Sequence, residues 1–153
     1  MIYHEILHRE VPLSIQQVVY MGKKFSAIRN LDSLGMILNS DSKSLKLMSL
    51  KPAYNDFFIP KRNGGKRHIQ TPMKPLKNLQ GLVNDYLQCV YYPIRPAAAY
   101  GFLICPKDER VPRNIFTNAL THLPHTYFLN VDLKDFFHKI SAERVHKLFS
   151  SPP

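Results

Sequence analysis

Cysteine is scarce. The 153-residue chain has two, Cys89 and Cys105, and they are not in a Cys-x-x-Cys arrangement. That rules out a disulfide framework or a thiolate metal knuckle and reads as reduced thiols in an unsecreted protein. There is no run of about 18 or more apolar residues, so no transmembrane helix and no membrane partner are expected. The first ten residues carry Glu5 and Glu10 where a secretory signal has a basic region, and they lack a long apolar core. A cytoplasmic setting is therefore expected. No internal repeat or low-complexity tract is visible. Acids are also few, with 11 Asp+Glu against 21 Lys+Arg and a formal charge of +10. Such an excess favours a polyanionic partner, nucleic acid above all. The hydrophobic content of 44% suits a folded chain, and the length allows one domain with a sizeable core.

The charge is concentrated. Residues 51–80 hold Lys51, Lys61, Arg62, Lys66, Arg67, Lys74 and Lys77 against the single acid Asp56. A solvated face is the plain reading of such a run. The local pattern favours a binding surface instead, because these residues flank apolar positions around a tight turn. Asn55 to Arg62 and Lys66 to Pro72 read as two strands, and Asn63-Gly-Gly65 supplies the positive φ angles that a hairpin turn needs. Pro60 lacks a backbone N–H, which places it at an edge or a bulge.

The remaining pattern is mostly helical. Ser14 and Gln17 form a capping box that opens a helix running past Val18, Val19, Phe25 and Ile28, interrupted by Gly22. Short helices are expected over Leu31–Leu38 and Ser42–Leu50, the second stopped by Pro52. Pro75 opens a longer helix whose stripe Leu76, Leu79, Val83, Tyr86 or Leu87, and Val90 reads as core, closed by Pro93. Pro96 to Phe102 is a turn or short strand. Pro112 opens another helix with Ile115, Ala119 and Leu123 on one face. A strand over 127–133 then leads to a last helix with Ser141 as N-cap and Val145, Leu148 and Phe149 turned inward. The Ser150–Pro153 ending reads as a cut, because that helix has nothing after it to pack against.

The strand 127–133 carries the sharpest chemical signal. In Tyr127-Phe-Leu-Asn-Val-Asp132-Leu-Lys-Asp135-Phe-Phe137 an apolar run ends on a carboxylate, which is costly to bury without compensation. A divalent cation is one compensating partner, since Mg²⁺ prefers carboxylate and carbonyl oxygens. An ion-paired or capping aspartate is the other reading.

Three segments, in this order, resemble the reverse transcriptases, particularly the bacterial retron type and their group II intron relatives. The first is Phe58-Ile-Pro-Lys61 through Gly64-Gly-Lys-Arg67-His-Ile-Gln-Thr-Pro72, with Leu76-Lys77 and Gln80 following, similar to the first fingers motif. The second is Tyr100-Gly-Phe102 with Ile115-Phe-Thr-Asn118-Ala119 and His122. The third is Asn130-Val-Asp132-Leu-Lys-Asp135-Phe-Phe137 with Ile140, similar to polymerase motif A. Between the two halves of the second segment, residues 103–114 are longer than the Gly-Arg-Ser link usual in the family. Arg113 answers to the basic residue there, and Asn114 stands where serine is usual, which leaves the roles of Lys107, Arg110 and Arg113 open.

The resemblance implies an RNA-directed DNA polymerase using deoxynucleoside triphosphates, an RNA template and a DNA or RNA primer. It implies two Mg²⁺ ions about 4 Å apart, with Asp132 and the Leu133 carbonyl among their ligands. Amides near Asp135 and Phe136 would face the triphosphate, and Phe137 would be the steric gate beneath the sugar. The alternative for the two phenylalanines is core, at least for one of them, since neighbours on a strand point opposite ways. Lys61 and Arg67 would meet the β- and γ-phosphates. Arg62, Lys66, Lys74 and Lys77 would meet the template backbone, and His68 and Ile69 would pack beneath the templating base.

The family's remaining carboxylates come from a Tyr-x-Asp-Asp hairpin, and no Asp-Asp pair occurs in this sequence. The expected fold is therefore α+β: a helical layer over 1–52, a fingers region over 53–125, and the first strand and helix of a palm over 126–153. The expected function is a reverse-transcriptase fragment, inactive alone, which in a retron-type system would act on a structured noncoding RNA and serve anti-phage defence. A non-catalytic nucleic-acid-binding module from a truncated gene is the alternative, and untemplated chain extension a third reading. The unpaired edge of the strand 127–133 is expected to favour self-association.

Overall fold

The computed structural model describes residues 13–134 and 136–150, with the backbone alone at His138. Asp135 and the ends of the chain, including the acidic opening segment and the terminal prolines, lie outside the described residues. Two compact units are present, one up to Ala119 and the other from Leu120 onward.

The larger unit begins with α1 (Ile15–Ser26). Its capping box forms as expected: the Ser14 hydroxyl accepts from the Gln17 amide at 3.3 Å, and the Gln17 side chain accepts from the Ser14 amide at 2.8 Å. The next helices, α2 (Leu31–Leu38) and α3 (Ser42–Leu50), have the boundaries expected from the sequence. Asn30 and Asp41 cap them, each satisfying an amide that the helix itself leaves free. The Ser44 hydroxyl and amide, 2.5 and 2.8 Å away, hold the Asp41 carboxyl below the ordinary carboxylate value. Asn39 ends α2 in the left-handed region at φ 49°, a conformation asparagine tolerates better than most residues.

Strands β1 (Tyr54–Pro60) and β2 (Lys66–Pro72) pair antiparallel as a two-stranded hairpin. Then α4 (Lys74–Tyr91) follows and tightens into a 3₁₀ turn at Tyr92–Ile94, around Pro93. Pro96 to Ala99 form a turn closed by the Ala99 amide on the Pro96 carbonyl at 3.1 Å. The helix α5 (Ile115–His122) follows.

The core sits between α1 and α4 and is closed by α2 and α3. It consists of Leu13, Val18, Met21, Leu38, Leu45, Tyr86 and Cys89. Along α4, Tyr86 rather than Leu87 takes the core position, with Leu76 also buried and Leu79 and Val83 packing at the margin. The rings of Phe25 and Tyr86 stack at 5.1 Å across the helix pair. Gly22 makes the close approach possible: a Cβ there would lie 2.5 Å from the Cys89 carbonyl oxygen. Burial pushes the Cys89 thiol up to about 11 and raises the Tyr86 phenol, because the charged form of each would lose its hydration.

Residues 103–114 form a strap on this bundle. The Ile104 amide bonds the Gln88 side chain at 2.8 Å, the Lys107 amide bonds the Leu13 carbonyl at 2.9 Å, and the Asp108 carboxylate accepts from the Ile15 amide at 2.7 Å. Glu109 pairs bidentately with Arg95. Their side chains are only 10% and 9% exposed, and the Arg95 guanidinium lies 4.0 Å over the Tyr92 ring.

The smaller unit differs from expectation. Residues 127–133 form no strand, and Tyr127, Leu129 and Val131 are 92, 88 and 75% exposed. A strand requires a neighbour to take its amides and carbonyls, and the only sheet among the described residues is the β1–β2 pair. The segment leads into a single helical turn, α6 (Phe136–Lys139), and then α7 (Ala142–Ser150). Ser141 caps α7, accepting from the Arg144 amide at 3.2 Å. Its apolar face is not buried, however: Val145, Leu148 and Phe149 are all exposed. Ile115 and Leu123, expected to share one face of a helix, are likewise exposed.

Gly22→Val is expected to lower the unfolding free energy by about 1–3 kcal/mol through overpacking, read as a shift of the urea midpoint; an unchanged midpoint would contradict the close approach. The two thiols should also separate chemically. At pH 8 one equivalent of alkylating reagent should react fast, at exposed Cys105, and Cys89 only after unfolding. Because the folded Cys89 pKa is raised, its contribution to stability is present below about 9 and lost as pH climbs toward about 11. Cys89→Ala should flatten that part of the stability profile.

Candidate nucleic-acid interface

The hairpin turn is built by glycine. Gly64 and Gly65 adopt φ 83° and 80°, which few other residues accept. The loop closes through the Lys61 amide on the Gly65 carbonyl at 3.1 Å and the Gly64 amide on the Lys61 carbonyl at 3.2 Å. The backbone of Lys61 is thereby fixed while its side chain and that of Arg62 remain exposed. At its base the ribbon is tied to the bundle. The Met73 amide bonds the Ala53 carbonyl at 2.9 Å, and the Gln80 side chain on α4 donates to the Tyr54 hydroxyl at 2.9 Å.

Register sorts the side chains onto two faces. Pairing places Ile59 opposite Arg67, Phe58 opposite His68 and Phe57 opposite Ile69. Alternation then puts Phe57, Ile59, Arg67 and Ile69 on one face, and Asp56, Phe58, Lys66 and His68 on the other. His68 and Ile69 thus lie on opposite faces, so they cannot both pack beneath one base as expected from the sequence. Lys61, Arg62, Lys66 and Arg67 are exposed, and none pairs with a carboxylate among the described residues. Asp56, the lone acid of the stretch, is engaged by His68 at 2.7 Å. Lys74 and Lys77 occupy the exposed first turn of α4. Its N-cap residue Met73 makes no side-chain cap, so the positive end of the helix adds to theirs. Six cationic groups therefore stand on or at the foot of a projecting ribbon.

Sequence reasoning missed the Phe58–His68 ring pair, which stacks at 4.9 Å with 26° between planes. The signal was present in the strand register that the Asn-Gly-Gly turn imposes.

Asp132 is exposed in irregular backbone, and so is Leu133, whose carbonyl accepts from the Phe136 amide at 3.2 Å to start α6. Asp135 lies outside the described residues. Phe136 and Phe137 are both helical and both exposed, in edge contact at 5.3 Å, so neither is core. No three histidine, cysteine or acidic side chains converge among the described residues. Asp132 with one carbonyl falls short of the ligand set a magnesium ion needs, so the described residues do not fit the implied two-ion site.

Within residues 103–114, Arg113 and Asn114 both make local bonds. Arg113 donates to the Pro96 carbonyl at 2.6 Å and the Ala99 carbonyl at 3.5 Å, holding the turn. Asn114 caps α5: its side chain accepts from the Thr117 amide, whose hydroxyl accepts from the Asn114 amide, both at 2.9 Å. Serine and asparagine serve equally well in that role.

Among known proteins, the chain is similar to retron reverse transcriptases. It is 38% identical over 95 residues to the retron Mx162 reverse transcriptase of Myxococcus xanthus, covering 62% of this chain and 18% of that protein. It is 38% identical over 96 residues to the retron Mx65 reverse transcriptase of the same organism, covering 62% and 20%. It is 33% identical over 103 residues to the retron Ec83 reverse transcriptase of Escherichia coli, covering 66% and 30%. The alignments thus span less than a third of each of these curated relatives. No family model and no solved structure matches the chain.

The cap assignment predicts that Asn114→Ala costs about 1 kcal/mol of stability while Asn114→Ser is nearly neutral. Thermal unfolding of the two variants checks it, and equal losses would contradict the assignment.

Proposed function

The chain is a relative of the retron reverse transcriptases over 62–66% of its length, and from that premise we propose that it serves RNA-templated DNA synthesis, with the basic hairpin as its nucleic-acid and nucleotide surface. The observation that carries this reading is the set of exposed cations on a ribbon whose one nearby acid is already engaged by His68. In this reading the Arg67 fork and the Lys61 ammonium take the phosphates of an incoming deoxynucleoside triphosphate. Arg62, Lys66, Lys74 and Lys77 take template phosphates. Asp132 and Phe137 are assigned to the reacting end, Phe137 beneath the sugar.

The polymerising step is proposed only for a protein in which Asp132 meets further carboxylates, and no part of the binding reading is routed through magnesium. A second reading, a binding module without catalysis, is favoured by the failure of metal-capable groups to converge among the described residues. Templated primer extension by the chain itself would decide against that second reading.

Fluorescence anisotropy with a labelled single-stranded RNA across a salt series tests the binding reading. The logarithm of the affinity should fall linearly with the logarithm of salt, with a slope of about −0.7 for each phosphate neutralised. Arg62→Ala and Lys66→Ala together should reduce that slope by about 1.4. Absent binding, or binding indifferent to salt, would overturn the proposal.

A further inference from the structure

The hairpin carries more than charge. On the face opposite Arg67, Phe58 and His68 stand opposite each other across the strands and stack ring on ring. One face of each ring is taken by the other, so what Phe58 presents, at 63% exposure, is its outer face and edge. His68 is restrained on a second side, since its Nε2 lies 2.7 Å from the Asp56 carboxylate. A half-exposed imidazole fixed by a ring on one face and a carboxylate at one nitrogen has lost most of its rotamer freedom before any ligand arrives. The cost of ordering it on binding is correspondingly small. Lys66 lies two residues from His68 on the same face, about 7 Å away by strand rise. Arg62 and Lys61 follow in the turn.

We infer that this face is a stacking shelf for the bases of single-stranded nucleic acid: a base extends the Phe58–His68 stack while Lys66 and the turn cations hold the adjoining phosphates. The charge of the rim selects the occupant. An apolar protein segment would gain nothing from the unpaired cations, whereas a single strand offers a π-face and an anion at each nucleotide. A duplex keeps its bases stacked inward and could use only the charge. The inference rests on the nucleic-acid reading of the hairpin and assigns to the face opposite Arg67 a contact of a different kind.

The test compares an intact oligouridylate with an abasic sugar-phosphate oligomer of equal length and charge. Phe58→Ala should weaken binding of the intact strand about 5- to 100-fold. Its salt slope should be unchanged, and its weak binding of the abasic strand should equal that of the parent chain. Because the chain contains no tryptophan, Phe58→Trp places a single indole on the shelf. The emission of that variant should be quenched by the intact strand but not by the abasic one. If the parent binds RNA with the expected salt dependence, yet Phe58→Ala binds the intact strand equally well and the indole is not quenched, the shelf is wrong and the electrostatic reading stands. If the parent binds no RNA, both fall together.

Discussion

The larger unit depends on the contact between the backbones of α1 and α4 at Gly22. A side chain there would meet the Cys89 carbonyl at 2.5 Å, so the helices approach this closely only because position 22 has none. That approach seats Val18 and Cys89 at full burial and lays Phe25 on Tyr86. The position of α4 then sets that of the hairpin. Its second strand runs into α4 through Met73, and its first is tied to the same helix by the Tyr54–Gln80 hydrogen bond. The ribbon is held at its foot by a rigid element while its two faces stay open.

An open ribbon with Phe57, Phe58 and Ile59 exposed is poor economy for folding alone, since burial of such side chains is a main source of stability. Apolar groups in reach of unpaired cations suit a ligand that is itself both planar-apolar and anionic. Single-stranded nucleic acid is such a ligand, and the strand alternation gives it two chemically distinct faces. One pairs the Arg67 fork with aliphatic and aromatic neighbours; the other carries the Phe58–His68 stack beside Lys66.

What was legible in the sequence was local. The limits of α2 and α3, the Ser14–Gln17 box, the glycine turn and the opening of α4 near Pro75 depend on residues a few positions apart, and each formed as read. The α+β character was legible for the same reason. Two readings that needed a distant partner did not form. Among the described residues, 127–133 have strand composition but no strand to pair with, and Val145, Leu148 and Phe149 have the spacing of a buried face but stay exposed. The strap over 103–114 was opaque because its bonds join Asp108 to Ile15 and Glu109 to Arg95, across separations that no local pattern encodes. At the candidate site the cations were visible as composition. Their division into faces was not, because one step of register decides it.

The proposed site of nucleic-acid binding is the hairpin rather than the charged surface at large. Titrating the isotope-labelled chain with a single-stranded RNA and following backbone amide resonances tests it most directly. The largest shifts are expected within residues 54–72 and the first turn of α4, with α2 and α3 silent. Shifts spread evenly over every lysine and arginine, or centred on α7, would contradict it.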